Sequence, residues 1–155
     1  MRLWRICKER HLQNALSGEG ARRAGGRWNH SGDPLVYTST SLSLACLELF
    51  VHLEPNLAPD DLFSVSIVLP PSATIEELSA SLLPADWREY PAPPRLQEMG
   101  SQWIRERRTL ALIVPSSVNP EEKNVLINPL HPQAALLGDF STKPFQFDPR
   151  LWSKR

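Results

Sequence analysis

Fifteen of the 155 residues are proline, and they are spread along the whole chain. Each proline fixes its own φ and supplies no backbone donor, so each is a break point for a helix interior or a central strand. The pattern predicts short elements joined by long ordered loops and argues against a helical bundle. The apolar runs stop at prolines: one before Pro55, one at Pro70-Pro71, one at Pro115 and one before Pro129.

Between these stops the periodicity predicts strands at Leu3 to Cys7, Pro34 to Thr38, Leu62 to Leu69, Thr109 to Val114, Asn124 to Ile127 and Phe145 to Phe147. The clearest helix runs from Ser41 to Leu53, with Ser41 as its cap. A second spans Arg95 to Arg107, with Leu96, Met99, Trp103 and Ile104 on one side and an interruption at Gly100. His11 to Leu16 reads as one or two helical turns. Gly18 to Gly26 reads as a basic, glycine-rich loop, and Trp87 to Pro94 as another loop. Thr74-Ile75-Glu76-Glu77 has capping-box spacing and predicts a short helix. No repeat, low-complexity tract or long linker divides the chain, so residues 1–155 are expected to form a single domain. Strands and helices mix without regular βαβ alternation, which predicts an α+β fold.

Seventeen basic and seventeen acidic residues cancel. No global field draws the chain to nucleic acid or to an acidic membrane, so no direct nucleic-acid binding is expected. Cys7 and Cys46 belong to no CxxC pair and are expected as buried free thiols. The opening MRLWRICKERH lacks the apolar core of a signal peptide, and no segment approaches a membrane span. The expected location is cytoplasmic. Asn29-His30-Ser31 fits a glycosylation sequon that this setting would leave unused.

Several common chemistries lack their residues. Gly20 and Gly25 have phosphate-loop spacing, but Gly26-Arg27 stands where Lys-Ser/Thr is needed. Gly18-x-Gly20-x-x-Arg23 lacks the third glycine of a dinucleotide fingerprint. The four histidines are scattered with no HExxH, so no metal site is expected. There is no GxSxG elbow.

Four residues carry more. In Ser41 to Leu53, Ser41, Ala45, Glu48 and His52 form one narrow stripe on an otherwise apolar helix. Glu48 therefore either reaches solvent through a narrow window or lines a cleft. Arg27 sits between Gly25-Gly26 and Trp28. It either packs its stem on the tryptophan or grips an anion beside a closely approaching backbone. Tyr37, at a strand end, either fills core or stacks on a flat ligand ring. Ser116, after a strand and a proline, would ordinarily form a turn.

Taken together these stretches resemble one family. GEGARRAGGRWNHSGDPLVYTSTSLSLACLELFVHL, LPADWREYP, Gly100-Ser101-Gln102-Trp103, LIVPSSVNPEEKNVLINPLHP and FQFDPRL resemble, in order, the RES-domain proteins. These are named for an arginine, a glutamate and a serine. The matching positions are Arg27, Glu48 and Ser116, the serine directly after the proline and next to Ser117. The resemblance implies an ADP-ribosyltransferase-like fold: a split, mixed β core with surrounding helices and a cleft for NAD. It implies a toxin of a bacterial type II toxin–antitoxin pair that consumes NAD by hydrolysis or phosphorolysis of the nicotinamide bond. Some such proteins ADP-ribosylate a protein instead. The implied partner is an Xre-like antitoxin with a helix-turn-helix domain, and self-association into a homo-oligomer is compatible with it.

The chemistry of NAD suits these residues. Losing nicotinamide leaves a ribose cation, and the leaving group needs no general acid because it is already cationic in the substrate and departs neutral. A carboxylate near the ribose helps most, which fits Glu48. Arg27 would hold the pyrophosphate or a ribose hydroxyl, and Tyr37 would stack on nicotinamide. Ser116 would bond the ribose or orient Glu48. No metal is required. His52 is expected to be structural, and Asn124 and Asn128 to fix backbone turns. A non-enzymatic regulatory binding module is the reading from a different class.

Overall fold

Strand alternation sorts the side chains into two layers. The computed structural model describes residues 1–54, 59–138 and 140–152. Its strands are β1 (Arg2–Lys8), β2 (Val36–Ser39), β3 (Leu62–Val68), β4 (Ile75–Glu77), β5 (Ala111–Pro115), β6 (Lys123–Ile127) and β7 (Ser141–Phe145). Its helices are α1 (Glu19–Ala24), α2 (Leu42–Phe50) and α3 (Pro94–Glu106), with short 3-10 turns at Glu9–Asn14, Ala80–Leu82, Pro132–Leu136 and Pro149–Leu151. The strands form one sheet in the order β4-β5-β6-β2-β1-β3-β7. β4 and β5 are parallel, and every other pairing is antiparallel. The architecture is α+β with a mixed sheet, as the sequence predicts.

Val36, Ala111, Val125 and Ile127 project into one apolar layer with Leu3, Val65 and Ile67. Their strand neighbours Leu112, Val114 and Leu126 project into the other, under Trp28, Leu35 and the α3 residues Leu96, Trp103 and Ile104. Period two along β5 and β6 is what separates the layers. Trp103 is fully buried, and its indole N–H donates to Thr109 Oγ1 at 2.9 Å.

α2 begins where its sequence says it should: Ser41 Oγ accepts from the Leu44 N–H at 3.1 Å. It ends at Phe50, short of the predicted Leu53. The amides of His52 and Leu53 bond three residues back, to Leu49 and Phe50, which tightens the last turn out of α geometry. The predicted stop at Pro55 lies outside the described residues.

Three local expectations fail. Within Gly18 to Gly26, expected as a loop, Glu19–Ala24 forms the helix α1. Glu19 pairs with Arg22 and Arg23 at 2.6 and 2.7 Å, one turn along, and Gly25 ends the helix with a φ of 71°. Thr74 to Glu77 is not helical. Thr74 Oγ1 donates to Gln133 Oε1 and accepts from the Leu110 N–H, and the residues after it pair with β5. Long-range pairing there overrides a local capping pattern. The last strand lies at Ser141–Phe145 and not at Phe145 to Phe147. Phe147 instead packs edge-on against Phe145 and Trp152, with Phe50 5.9 Å away.

Candidate active site

Register builds the floor of the site. Ser39 of β2 lies opposite Asn124 of β6, and Asn124 lies opposite Val114 of β5. Two residues from Ser39, on the same face, Tyr37 lies opposite Leu126. Ser116 follows directly after β5. α2 lies along β1 and β2 and brings Glu48 to this row.

The Glu48 carboxylate is held by one oxygen. Ser116 Oγ donates to Oε1 at 2.7 Å, and Asn124 Nδ2 donates to the same oxygen. Oε2 accepts no hydrogen bond from the described residues, and the side chain is half-buried. Ser116 is completely buried. Its oxygen accepts the N–H groups of Val118 and Asn119 at 3.1 and 3.0 Å. Asn119 Nδ2 in turn donates to Glu122 Oε2 at 2.9 Å, and Ser41 Oγ donates to Glu122 Oε1 at 3.1 Å. The capping serine of α2 and the turn after β5 are thus joined through Glu122, which fixes the helix carrying Glu48 relative to the turn carrying Ser116.

Arg27 stands on the loop between α1 and β2. Its guanidinium donates to the carbonyls of Trp87 at 2.7 Å and Glu89 at 3.1 Å. Burial lowers its pKa, and the nearby charge of Glu48 and the Tyr37 phenol oppose that shift. Arginine stays charged regardless. The site therefore sets a fixed cation within electrostatic reach of a half-buried carboxylate.

Tyr37 holds that loop. Its hydroxyl donates to Asn29 Oδ1 at 2.8 Å and accepts the Trp28 N–H at 3.0 Å. Burial pushes the phenol well above its ordinary pKa, so it remains protonated. Asn29 is completely buried and donates through Nδ2 to the carbonyls of Ala21, His30 and Asp33. Tyr37→Phe leaves the Trp28 N–H and Asn29 Oδ1 without this partner while keeping the ring. It is expected to cost about 1–3 kcal/mol of stability, read from urea denaturation; an unchanged midpoint would mean the hydroxyl does not hold the loop.

Arg27, Tyr37, Glu48 and Ser116 thus border one region. Ser117 differs from Ser116: its carbonyl accepts from Arg88 Nε at 3.2 Å. His52 is exposed beyond the end of α2 and joins none of these contacts. Asn128 does fix a turn, donating to the Ile104 carbonyl and accepting the Leu130 N–H. Asn124 does not. It lies inside β6, bonded to Glu48 and Ser39, because the register turns it onto the site face. Sequence reasoning missed Ser39, Asn124, Asn29 and Glu122 as parts of the arrangement. Alternation would have put Ser39 on the face of Tyr37, but only the β2–β6 register sets Asn124 beside it.

The arrangement can bind an anion and steady positive charge on a nearby carbon. Among the described residues, no three His, Cys, Asp or Glu side chains converge as a metal site, and no helix is long and apolar enough to cross a membrane.

Comparisons with known proteins agree with one another. A protein called Toxin Res from Yersinia enterocolitica is 38% identical over 154 residues, covering 97% of this chain and 99% of that protein. A Prs ADP-ribosylating toxin from a Sphingobium species is 40% identical over 155 residues, covering 97% and 96%. The fold is similar to that in the crystal structure of the M. tuberculosis MbcT–MbcA toxin–antitoxin complex, with a TM-score of 0.71 and 18% identity over 97% of this chain and 86% of that one. The family model of the RES domain matches residues 2–148, and the chain belongs to that family.

Proposed function

We propose that this protein is a toxin that breaks the nicotinamide–ribose bond of NAD and passes the ADP-ribosyl group to water or phosphate. The observation that carries this reading is Glu48: two donors fix Oε1, and Oε2 is left for a ligand. As the bond from the ribose carbon to nicotinamide breaks, its electron pair leaves with neutral nicotinamide. Positive charge then spreads over the ribose carbon and ring oxygen. A carboxylate accepting a ribose hydroxyl through Oε2 stabilises that charge more in the transition state than in the substrate. Water or phosphate then attacks the same carbon.

Arg27 uses one N–H on each terminal nitrogen for the loop carbonyls, which leaves donors for pyrophosphate oxygens. The Tyr37 hydroxyl is engaged within the protein, so its ring face is what it offers to nicotinamide. No metal enters this scheme.

A second reading, transfer of ADP-ribose to a protein, draws on the Sphingobium relative, whose name is that of an ADP-ribosylating toxin. Both are tested with NAD labelled in its adenosine half, with and without phosphate and cell lysate. Free labelled ADP-ribose or its phosphorylated form is the expected product. Label carried on protein supports the second reading, and intact NAD under every condition overturns both. We propose a helix-turn-helix antitoxin of Xre type as the partner that restrains the toxin. The support is the neighbouring fold, which was solved as a toxin–antitoxin complex.

A further inference from the structure

Ser39 and Asn124 are cross-strand partners on the site face, and neither is one of the three family letters. Ser39 Oγ donates to Asn124 Oδ1 at 2.7 Å. A carboxamide whose oxygen is taken in this way must turn its NH2 to the other side, and there it meets Glu48 Oε1. Ser39 is almost completely buried, so water does not compete for the amide oxygen from its side. We propose that Asn124 is a positioning residue for Glu48, oriented by Ser39, and that this pair aims Oε2 at the ribose. The proposal rests on the NAD reading for its effect on turnover, and not for the orientation itself.

Ser116 alone ties Oε1 by one bond, about which the carboxylate can pivot. A second donor, arriving from a different strand, removes that freedom. The Asn124 amide would be free to rotate by half a turn without Ser39, and its oxygen would then face the carboxylate. Two acceptors meeting in a half-buried place repel, so the amide orientation decides whether Glu48 is held or pushed away.

Asn124→Ala is expected to lower kcat by roughly 10- to 100-fold with little change in KM, because misplacement of a group near the reacting carbon acts mainly in the transition state. Asn124→Asp keeps the shape and removes the donor. It is expected to be at least as slow as Asn124→Ala. Ser39→Ala, which never touches Glu48, is expected to fall between Asn124→Ala and the parent. A space-filling role predicts the opposite order, with Asn124→Asp near the parent, and that result overturns the proposal. The orientation is also read without NAD. In the folded 15N-labelled protein, the Asn124 side-chain NH2 signals (those lost in Asn124→Asp) should exchange slowly with solvent, shift in Glu48→Gln and exchange faster in Ser39→Ala. Signals like those of a solvent-exposed asparagine overturn the positioning role whatever the protein does with NAD. A parent that leaves NAD intact, with the signals as expected, overturns the functional reading alone.

Discussion

Glu48→Gln is expected to lower NAD cleavage by about 10²- to 10³-fold while the thermal midpoint stays close to that of the parent. Glutamine keeps an oxygen where Oε1 accepts from Ser116 and Asn124, so both tethers survive. What disappears is the negative charge and the acceptor at Oε2, the two features the ribose cation would use. Glu48→Ala is a blunter test, since it strands a serine donor and an asparagine donor and mixes a stability loss with a catalytic one. Turnover of labelled NAD by folded Glu48→Gln decides the matter. A variant as fast as the parent would remove Glu48 from the mechanism, and a variant that binds ADP-ribose normally but turns over slowly would locate the loss in the chemical step.

The second large effect is expected at Gly100. A Cβ built there would land on the carbonyl oxygen of Trp28, and it would sit 2.8 Å from that carbonyl carbon and 3.1 Å from Trp28 Cα. These are backbone atoms and cannot rotate aside. α3 and the Arg27 loop are held together by this close approach. The His30 N–H donates to Ser101 Oγ at 2.9 Å, and Gln97 Nε2 donates to the Gly26 carbonyl at 3.0 Å. Gly100→Ala must pry these apart or distort the helix, at a cost of about 3 kcal/mol. For a chain of this length that is a fall in Tm of roughly 6–12 °C. Urea denaturation of parent and variant measures it directly, and equal midpoints would show that the loop yields freely. Because Arg27 rides on this loop, the folded fraction of Gly100→Ala should also bind NAD more weakly.

Gly100 also marks what was legible in the sequence. As a helix interior residue it reads as an interruption of the predicted second helix. In the structure α3 passes through it unbroken, because the missing side chain is where another backbone lies. A sequence carries the cost of such a glycine and not the neighbour that repays it. Ser41 is the opposite case, since a cap acts on its own helix and needs no distant partner to be recognised. Thr74 to Glu77 has equally good local spacing, but Gln133 and β5 claim it from far along the chain. The site divides in the same way. Glu48 stands out as one acid on an apolar helix, and Arg27 as a cation beside glycines. Asn124 becomes a partner of Glu48 only through the β2–β6 register, and no spacing within β6 announces it.

The environment of Ser116 limits its chemistry. A hydroxyl has one proton and two lone pairs. The proton goes to Glu48, and the amides of Val118 and Asn119 take the lone pairs. Nothing remains with which to attack a carbon or a phosphorus atom, and the group is sealed from solvent. The serine of this site is therefore saturated, and electrophiles designed to trap serine hydrolases have no nucleophile to meet here.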